Sequence, residues 1–298
     1  MGNTHQQMTL FGVPSIKEGE FNIYHDESCV DPDHIPFQLH GVLFIPTTKI
    51  QTTYSFLQYL RGDYRGRIHF KLLKDNTSSK KPDVARAWMR YFYNELMNYA
   101  FYKCLVIDMR SPKFDKALLA QPYRLYNRSA AMAMHSGLAW FLKEYQKITV
   151  NIFSEEKSRP SFDNFDTYIP SSLLNRAQRK KNNRELIIPN RKVTIVNGDP
   201  KKVDDQFAIH CEFIQLTDLI TASINEAINA KASREIKLEL GRVVGGWITD
   251  IGLPPWEQKD NLHRRFSLST TANNKDFTEL SLNIFSQKVG FTRFNGHN

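Results

Sequence analysis

The chain has 298 residues, 41% hydrophobic and 12% aromatic, enough for one large domain or a domain with an appendage. Forty Lys and Arg against 31 Asp and Glu give a formal charge of +9, which favours a polyanionic partner, either nucleic acid or an anionic membrane surface. Cys29, Cys104 and Cys211 form no CxxC pair, which argues against a disulfide framework or structural zinc. No apolar run approaches the roughly 18 residues that span a bilayer, and residues 1–7 lack the basic start and apolar core of a signal peptide. A soluble, cytoplasmic protein is expected.

Residues 1–20 read as a polar arm. Phe21–Ser28 is an apolar strand that ends on Asp26 and Glu27. Successive strand side chains point to opposite faces, so only one of the two acids, Asp26, is expected to face a site; the alternative is a strand cap at a solvated turn. Phe37–Ile45 predicts a second strand, closed by Pro46 and antiparallel to the first. A short helix is expected around Tyr54–Leu60, and the alternation in Arg67–Leu73 predicts a half-buried strand. Pro82 precedes a helix expected over Asp83–Tyr102. Lys103–Asp108 repeats the opening theme, an apolar strand ending on a carboxylate. A helix over Ala130–Tyr145 and a strand over Ile148–Phe153 follow, the latter running into Glu155-Glu156-Lys157. This alternation predicts an α/β sheet with some parallel strands.

Residues 157–210 break the rhythm. Between Leu173 and Lys202 nine basic side chains stand against two acidic ones, and Arg176, Arg179, Lys180, Lys181, Arg184, Arg191 and Lys192 are candidates for a nucleic-acid surface, the alternative being a solvated face. A helix end is expected at Arg176–Arg184 and a strand at Lys192–Val196. Cys211–Ala230 has core spacing in Phe213, Leu216, Leu219 and Ile220, with Asp218 beside that apolar stripe. Residues 231–298 read as a C-terminal appendage.

The acids acquire an order when taken together. Asp26, Asp108 and Glu155/Glu156 end strands, which places them at one sheet edge, and a following helix brings Asp218 over it. Carboxylates gathered at one place stay ionised only if cations neutralise them. Mg²⁺ or Mn²⁺ suits carboxylate oxygens, and two such ions about 4 Å apart activate water and stabilise the leaving oxygen in phosphodiester hydrolysis.

Three segments also carry a resemblance. Tyr24-His25-Asp26-Glu27-Ser28 is similar to the opening Tyr-x-Asp-Glu-Ser strand of the family filed as domain of unknown function 3800. Arg67-Ile68-His69-Phe70-Lys71 resembles its Ile-His-Phe segment, and Gln215-Leu216-Thr217-Asp218-Leu219 its late Gln-Leu-Ala-Asp-Leu helix, with Thr217 in place of alanine. The resemblance implies a ribonuclease-H-like mixed sheet flanked by helices over residues 21–230, with the basic insertion at 157–210, and a divalent-metal nuclease. It places Asp26, Glu27 and Asp218 on motif acids; Asp108 is assigned as a ligand by the topology of that fold alone. Here Asp26 would bridge both ions and Asp218 would hold the second. His25 and Cys29 depart from the family pattern, and Glu155-Glu156 stands where aspartate is expected, which leaves the identity of the third ligand open. His69 and Lys71 are expected to contact the scissile phosphate or orient water. Arg179-Lys180-Lys181 would grip the nucleic-acid backbone. A defence-system effector is a role implied only by the resemblance. The competing expectations are a non-catalytic nucleic-acid-binding protein, marked by an Asp26 paired with Lys or Arg in place of metal, and a scaffold subunit whose basic insertion docks an acidic protein; a protein partner or a homo-oligomer stays open.

Overall fold

The computed structural model describes residues 16–28, 37–75, 78–108, 122–179, 184–229, 232–251, 265–271 and 277–279. The expected arm lies almost wholly outside them, as do Cys29, Lys180 and Lys181. Strand β1 (Glu18–Ser28) pairs antiparallel with β2 (Phe37–Pro46), and β2 with β3 (Phe101–Asp108). On the other side, β1 pairs parallel with β4 (Lys147–Glu155), which carries two short parallel strands, β5 (Glu185–Ile187) and β6 (Val193–Val196). Beyond β3 come β7 (Phe266–Thr271), parallel to it, and β8 (Phe277–Glu279), antiparallel to β7. The sheet is mixed, as expected. All its strands except β2 and β8 run the same way, so β1, β3 and β4 end at one edge.

Helices cover both faces. On one face, α1 (Ile50–Arg61), α2 (Lys81–Asn94), α5 (Ala208–Asn229) and α6 (Glu235–Ile251) share a core with Tyr24, Leu43, Tyr102 and Phe153. On the opposite face, α3 (Pro122–Phe141) and α4 (Phe165–Arg179) pack on Ile23, Val42, Leu105 and Val150. The odd and even residues of β1 supply the two cores, the period-two pattern of a strand covered on both sides. Among the described residues no helix is long and apolar enough to cross a membrane.

Several expected elements shift. The segment 67–73 is not a strand: residues 67–69 are extended and Phe70–Leu72 forms a 3₁₀ turn, because the backbone donors of Ile68 and Phe70 go to side chains of α5 and not to a ladder. The helix expected over 83–102 stops at Asn94. A 3₁₀ turn over Leu96–Asn98 then leads into β3, and the apolar Leu96 and Met97 are buried by that turn and not by a helical stripe. Helix α3 starts at Pro122, ahead of the expected Ala130. The basic insertion is built into the sheet through α4, β5 and β6. Much of the expected appendage also belongs to the main body, since Ile236, Leu240, Val244 and Trp247 form a buried stripe at helical spacing on α6 and β7 extends the sheet beside β3.

Candidate functional site

Asp26 lies two residues beyond Tyr24, and Glu155 two beyond Phe153. Those aromatic rings are register partners, stacked 5.3 Å apart, so the two acids emerge side by side on the face covered by α5. Opposite Asp26 in β2 is Gly41, where a Cβ would overlap Thr221 Oγ1 of α5 and the Tyr102 hydroxyl. Glycine at this level lets α5 lie directly on the sheet and carries Asp218 to the acid edge.

Two residues one helical turn apart on α5 then hold the 67–70 segment. Gln215 Oε1 accepts the Ile68 N–H at 2.6 Å, and Asp218 Oδ2 accepts the Phe70 N–H at 2.7 Å. Arg61 completes the clasp. Its buried guanidinium donates to Glu212 Oε2 (2.6 Å), Gln215 Oε1 (3.2 Å) and the Gly66 carbonyl (2.6 Å), and it lies 4.9 Å from the Trp88 ring centroid. The segment so fixed presents His69 and Arg67: His69 Nδ1 stands 3.3 Å from Asp218 Oδ2, and Arg67 pairs with Glu155.

Lys157, two residues past the end of β4, is the centre of the arrangement. Its ammonium donates to Asp26 Oδ1 at 2.8 Å and also pairs with Glu27, whose side chain leaves β1 on the other face. There Tyr126 of α3 donates its hydroxyl to Glu27 Oε2 at 2.6 Å. Burial would lower the Lys157 ammonium, but the Asp26 and Glu27 charges more than offset this and hold it above the usual lysine range. Burial, with the charges of Glu27, Asp218 and Glu155, holds Asp26 well above the carboxylate range in spite of Lys157. Burial also pushes Asp218 up to about 6, against the opposing Phe70 N–H, Lys157 and Arg67. It drives His69 down to about 4, helped by Arg67, so His69 is neutral at pH 7.

Asp26, Glu155 and Asp218 are thus brought together, with Glu27 joined through Lys157. Glu156 is not: it is exposed on the opposite side of the chain and accepts a hydrogen bond from Asn197 Nδ2 at 2.7 Å, as strand alternation from Glu155 requires. Lys71 is exposed, its backbone N–H bonded to His69 Nδ1 at 3.2 Å. Asp108 ends β3 opposite Phe37, whereas the level of Asp26 is that of Gly41 and Cys104, so its backbone stands about 13 Å further along the strand direction. Its side chain lies outside the described residues.

The basic candidates divide. Arg184 is structural, donating to the carbonyls of Tyr145 (3.1 Å) and Leu138 (3.3 Å). Arg176 is half-buried beside Tyr168 and Arg128, Arg179 is exposed at the end of α4, and Arg191 and Lys192 are exposed at the turn before β6. The residues that sequence reasoning missed are Lys157, Arg67, Tyr126 and Gln215. Of these, only Gln215 carried a signal in its spacing from Asp218.

Comparison with known proteins adds little. No family model matches the chain, and no curated protein matches it. Among solved structures, a chain of the complex of PCNA with RNase HII from Archaeoglobus fulgidus is similar over 79% of this chain and 91% of that one, at 10% identity and a TM-score of 0.31. A likeness at that level says nothing of the site's chemistry.

Proposed function

We propose that the chain is a divalent-metal-dependent hydrolase of nucleic-acid phosphodiesters, with Asp26, Glu155 and Asp218 as the groups that would hold the ion. One observation carries this reading. Four acid side chains (Asp26, Glu27, Glu155, Asp218) meet two permanent cations (Lys157, Arg67) at one sheet edge, and His69 is neutral, so ionising all four would leave two negative charges uncompensated in a largely buried cluster, which is why Asp26 holds its proton so far above the carboxylate range. A single divalent cation balances that deficit, and an all-oxygen donor set suits Mg²⁺ or Mn²⁺. When bound, such an ion would polarise the phosphodiester and lower the pKa of a bound water. Lys157 stays charged and would act on the developing phosphate charge, while His69, uncharged at pH 7, is placed to take a proton.

As the side chains stand, no three His, Cys, Asp or Glu groups among the described residues are arranged to hold a metal. Lys157 and Arg67 occupy the carboxylates, so metal entry requires Lys157 to leave Asp26. That pairing supports a second reading, in which Lys157 is the resident cation and the protein binds nucleic acid without cleaving it.

Calorimetric titration of Mn²⁺ into wild type, Asp26→Asn and Lys157→Met, followed by cleavage assays on DNA, RNA and hybrid substrates, separates the two. The expected result is Mn²⁺ binding by wild type, tighter binding by Lys157→Met with slower cleavage, and loss of both binding and cleavage in Asp26→Asn. Failure of both wild type and Lys157→Met to bind Mn²⁺ would leave the second reading standing.

A further inference from the structure

On the α3/α4 face, the N-terminal turns of these two helices border a cleft of about 480 Å³, the size of a small-molecule site. Tyr123, Phe162 and Tyr168 give it aromatic walls, with Arg124, Arg128 and Asn127 between them. Phe162 is 69% exposed, so its ring face is open to a partner, and it meets Tyr123 edge-on at 5.2 Å between centroids. Arg124 lies 5.9 Å from the Tyr123 ring centroid, with its Nε donating to the Tyr123 hydroxyl. Asn127 is 98% buried: its Nδ2 donates to Asp163 at 2.7 Å, while its Oδ1 has no partner. An unpartnered buried acceptor lining a cleft is unusual and points to a ligand that donates to it.

We infer that this cleft binds one unit of a single-stranded nucleic acid, with the base against Tyr123 and Phe162, a base N–H on Asn127 Oδ1, and the flanking phosphates on Arg124 and Arg128. Stacking on aromatic faces within a positive groove is the chemistry by which single strands are held. A duplex offers neither an unstacked face nor a free Watson–Crick edge. Side-chain contacts also link the wall of the cleft to the acid edge. Asp163, which accepts from Asn127, pairs with Arg159 at 3.1 Å, and the Arg159 guanidinium covers both Phe165 (3.9 Å) and Tyr126 (4.6 Å), the residue that bonds Glu27. Half-buried Arg176, next to Arg128, extends the positive surface along α4.

The inference rests on nucleic acid as the partner, which both readings of the acid site share, and not on metal. It is tested in EDTA, with hydrolysis off, by fluorescence anisotropy of labelled mixed-sequence 12-mers of single-stranded DNA, single-stranded RNA and duplex DNA binding to the full chain. Phe162→Ala and Arg124→Ala alter exposed side chains, and thermal melting confirms their folding. The expected result is single-strand affinity about tenfold weaker in Phe162→Ala and kept in Phe162→Tyr. Arg124→Ala should lower the salt slope by about 0.7. The DNA and RNA arms show which strand is preferred. Because the assay contains no divalent metal, failure of the metal reading leaves this result intact. Undiminished single-strand binding by Phe162→Ala, no single-strand binding by wild type, or duplex binding equally sensitive to Phe162→Ala would each overturn the inference.

Discussion

Asp26 and Glu27 are sequence neighbours that share the ammonium of Lys157, yet they enter opposite faces of the sheet and titrate in opposite directions. On the α3 face, burial alone would raise Glu27, but Lys157 and the hydroxyl of Tyr126 bring it down to about 2. On the α5 face, Asp26 has the same ammonium at 2.8 Å but also faces Asp218 and Glu155, and it stays well above the carboxylate range. Burial is common to both. What separates them is the company: hydrogen-bond donors on one face, other acids on the other. A buried carboxylate with donors is a structural anchor, and one among acids retains an unmet demand for positive charge.

The largest test of this contrast removes the shared cation. Lys157→Met leaves two buried carboxylates without their ammonium, and a loss of about 3 kcal/mol at pH 7 is expected in urea unfolding. Mn²⁺ should restore a substantial part of that loss, and no restoration would favour Lys157 as a permanent occupant. Acid pH probes the α3 face next, where His25 and His40 stand with facing nitrogens 3.1 Å apart and no exposure to solvent. Burial pushes His40 down to about 4, below its unfolded value of 6.5. The folded state therefore binds fewer protons than the unfolded one, and stability falls as pH drops from 6.5 towards 4, by about 3 kcal/mol. His40→Gln should flatten that fall in urea titrations across this pH range.

Asp218 predicts the reverse sign. Its pKa of about 6 lies above the unfolded 3.8, so its ionisation costs stability that is recovered as pH falls through 6. Asp218→Asn keeps an acceptor for the Phe70 N–H and should raise stability at pH 7 by about 2 kcal/mol while removing Mn²⁺ binding. The equivalent change on the other face, Glu27→Gln, should lower stability. The smallest effect belongs to exposed Glu156: Glu156→Gln should change stability by less than about 0.5 kcal/mol and leave Mn²⁺ binding alone, whereas Glu155→Gln weakens it.

Local pattern made much of this legible. β1, β2 and β4 announce themselves as apolar runs closed by charge or proline, and α5 by its core spacing, so the meeting of Asp26, Glu155 and Asp218 was foreseeable from order along the chain. The cations were not. Arg67 and Lys157 lie on irregular backbone where no periodicity marks a side chain's direction, and Tyr126 reaches Glu27 from a helix distant in sequence. The alternation in Arg67–Leu73 misled because an extended segment pinned by Gln215 and Asp218 buries alternate residues just as a strand does. The stripe of α6 is interrupted by Gly245-Gly246, poor helix formers, and is followed by Pro254-Pro255, which disguised a core helix as an appendage.

Glu155 is the last residue of β4, and the final backbone bond of this region joins Glu156 N–H to the Val196 carbonyl. Lys157 comes immediately after it, on chain that belongs to no ladder. Its ammonium can therefore be exchanged for another cation by torsions of its own side chain, with every rung of the sheet intact. On the metal reading the site would work like a cation exchanger in which the resident ion is tethered: what the swap costs is the pairing with Asp26 and Glu27 and not the sheet, and the return would be fast because the ammonium never diffuses away.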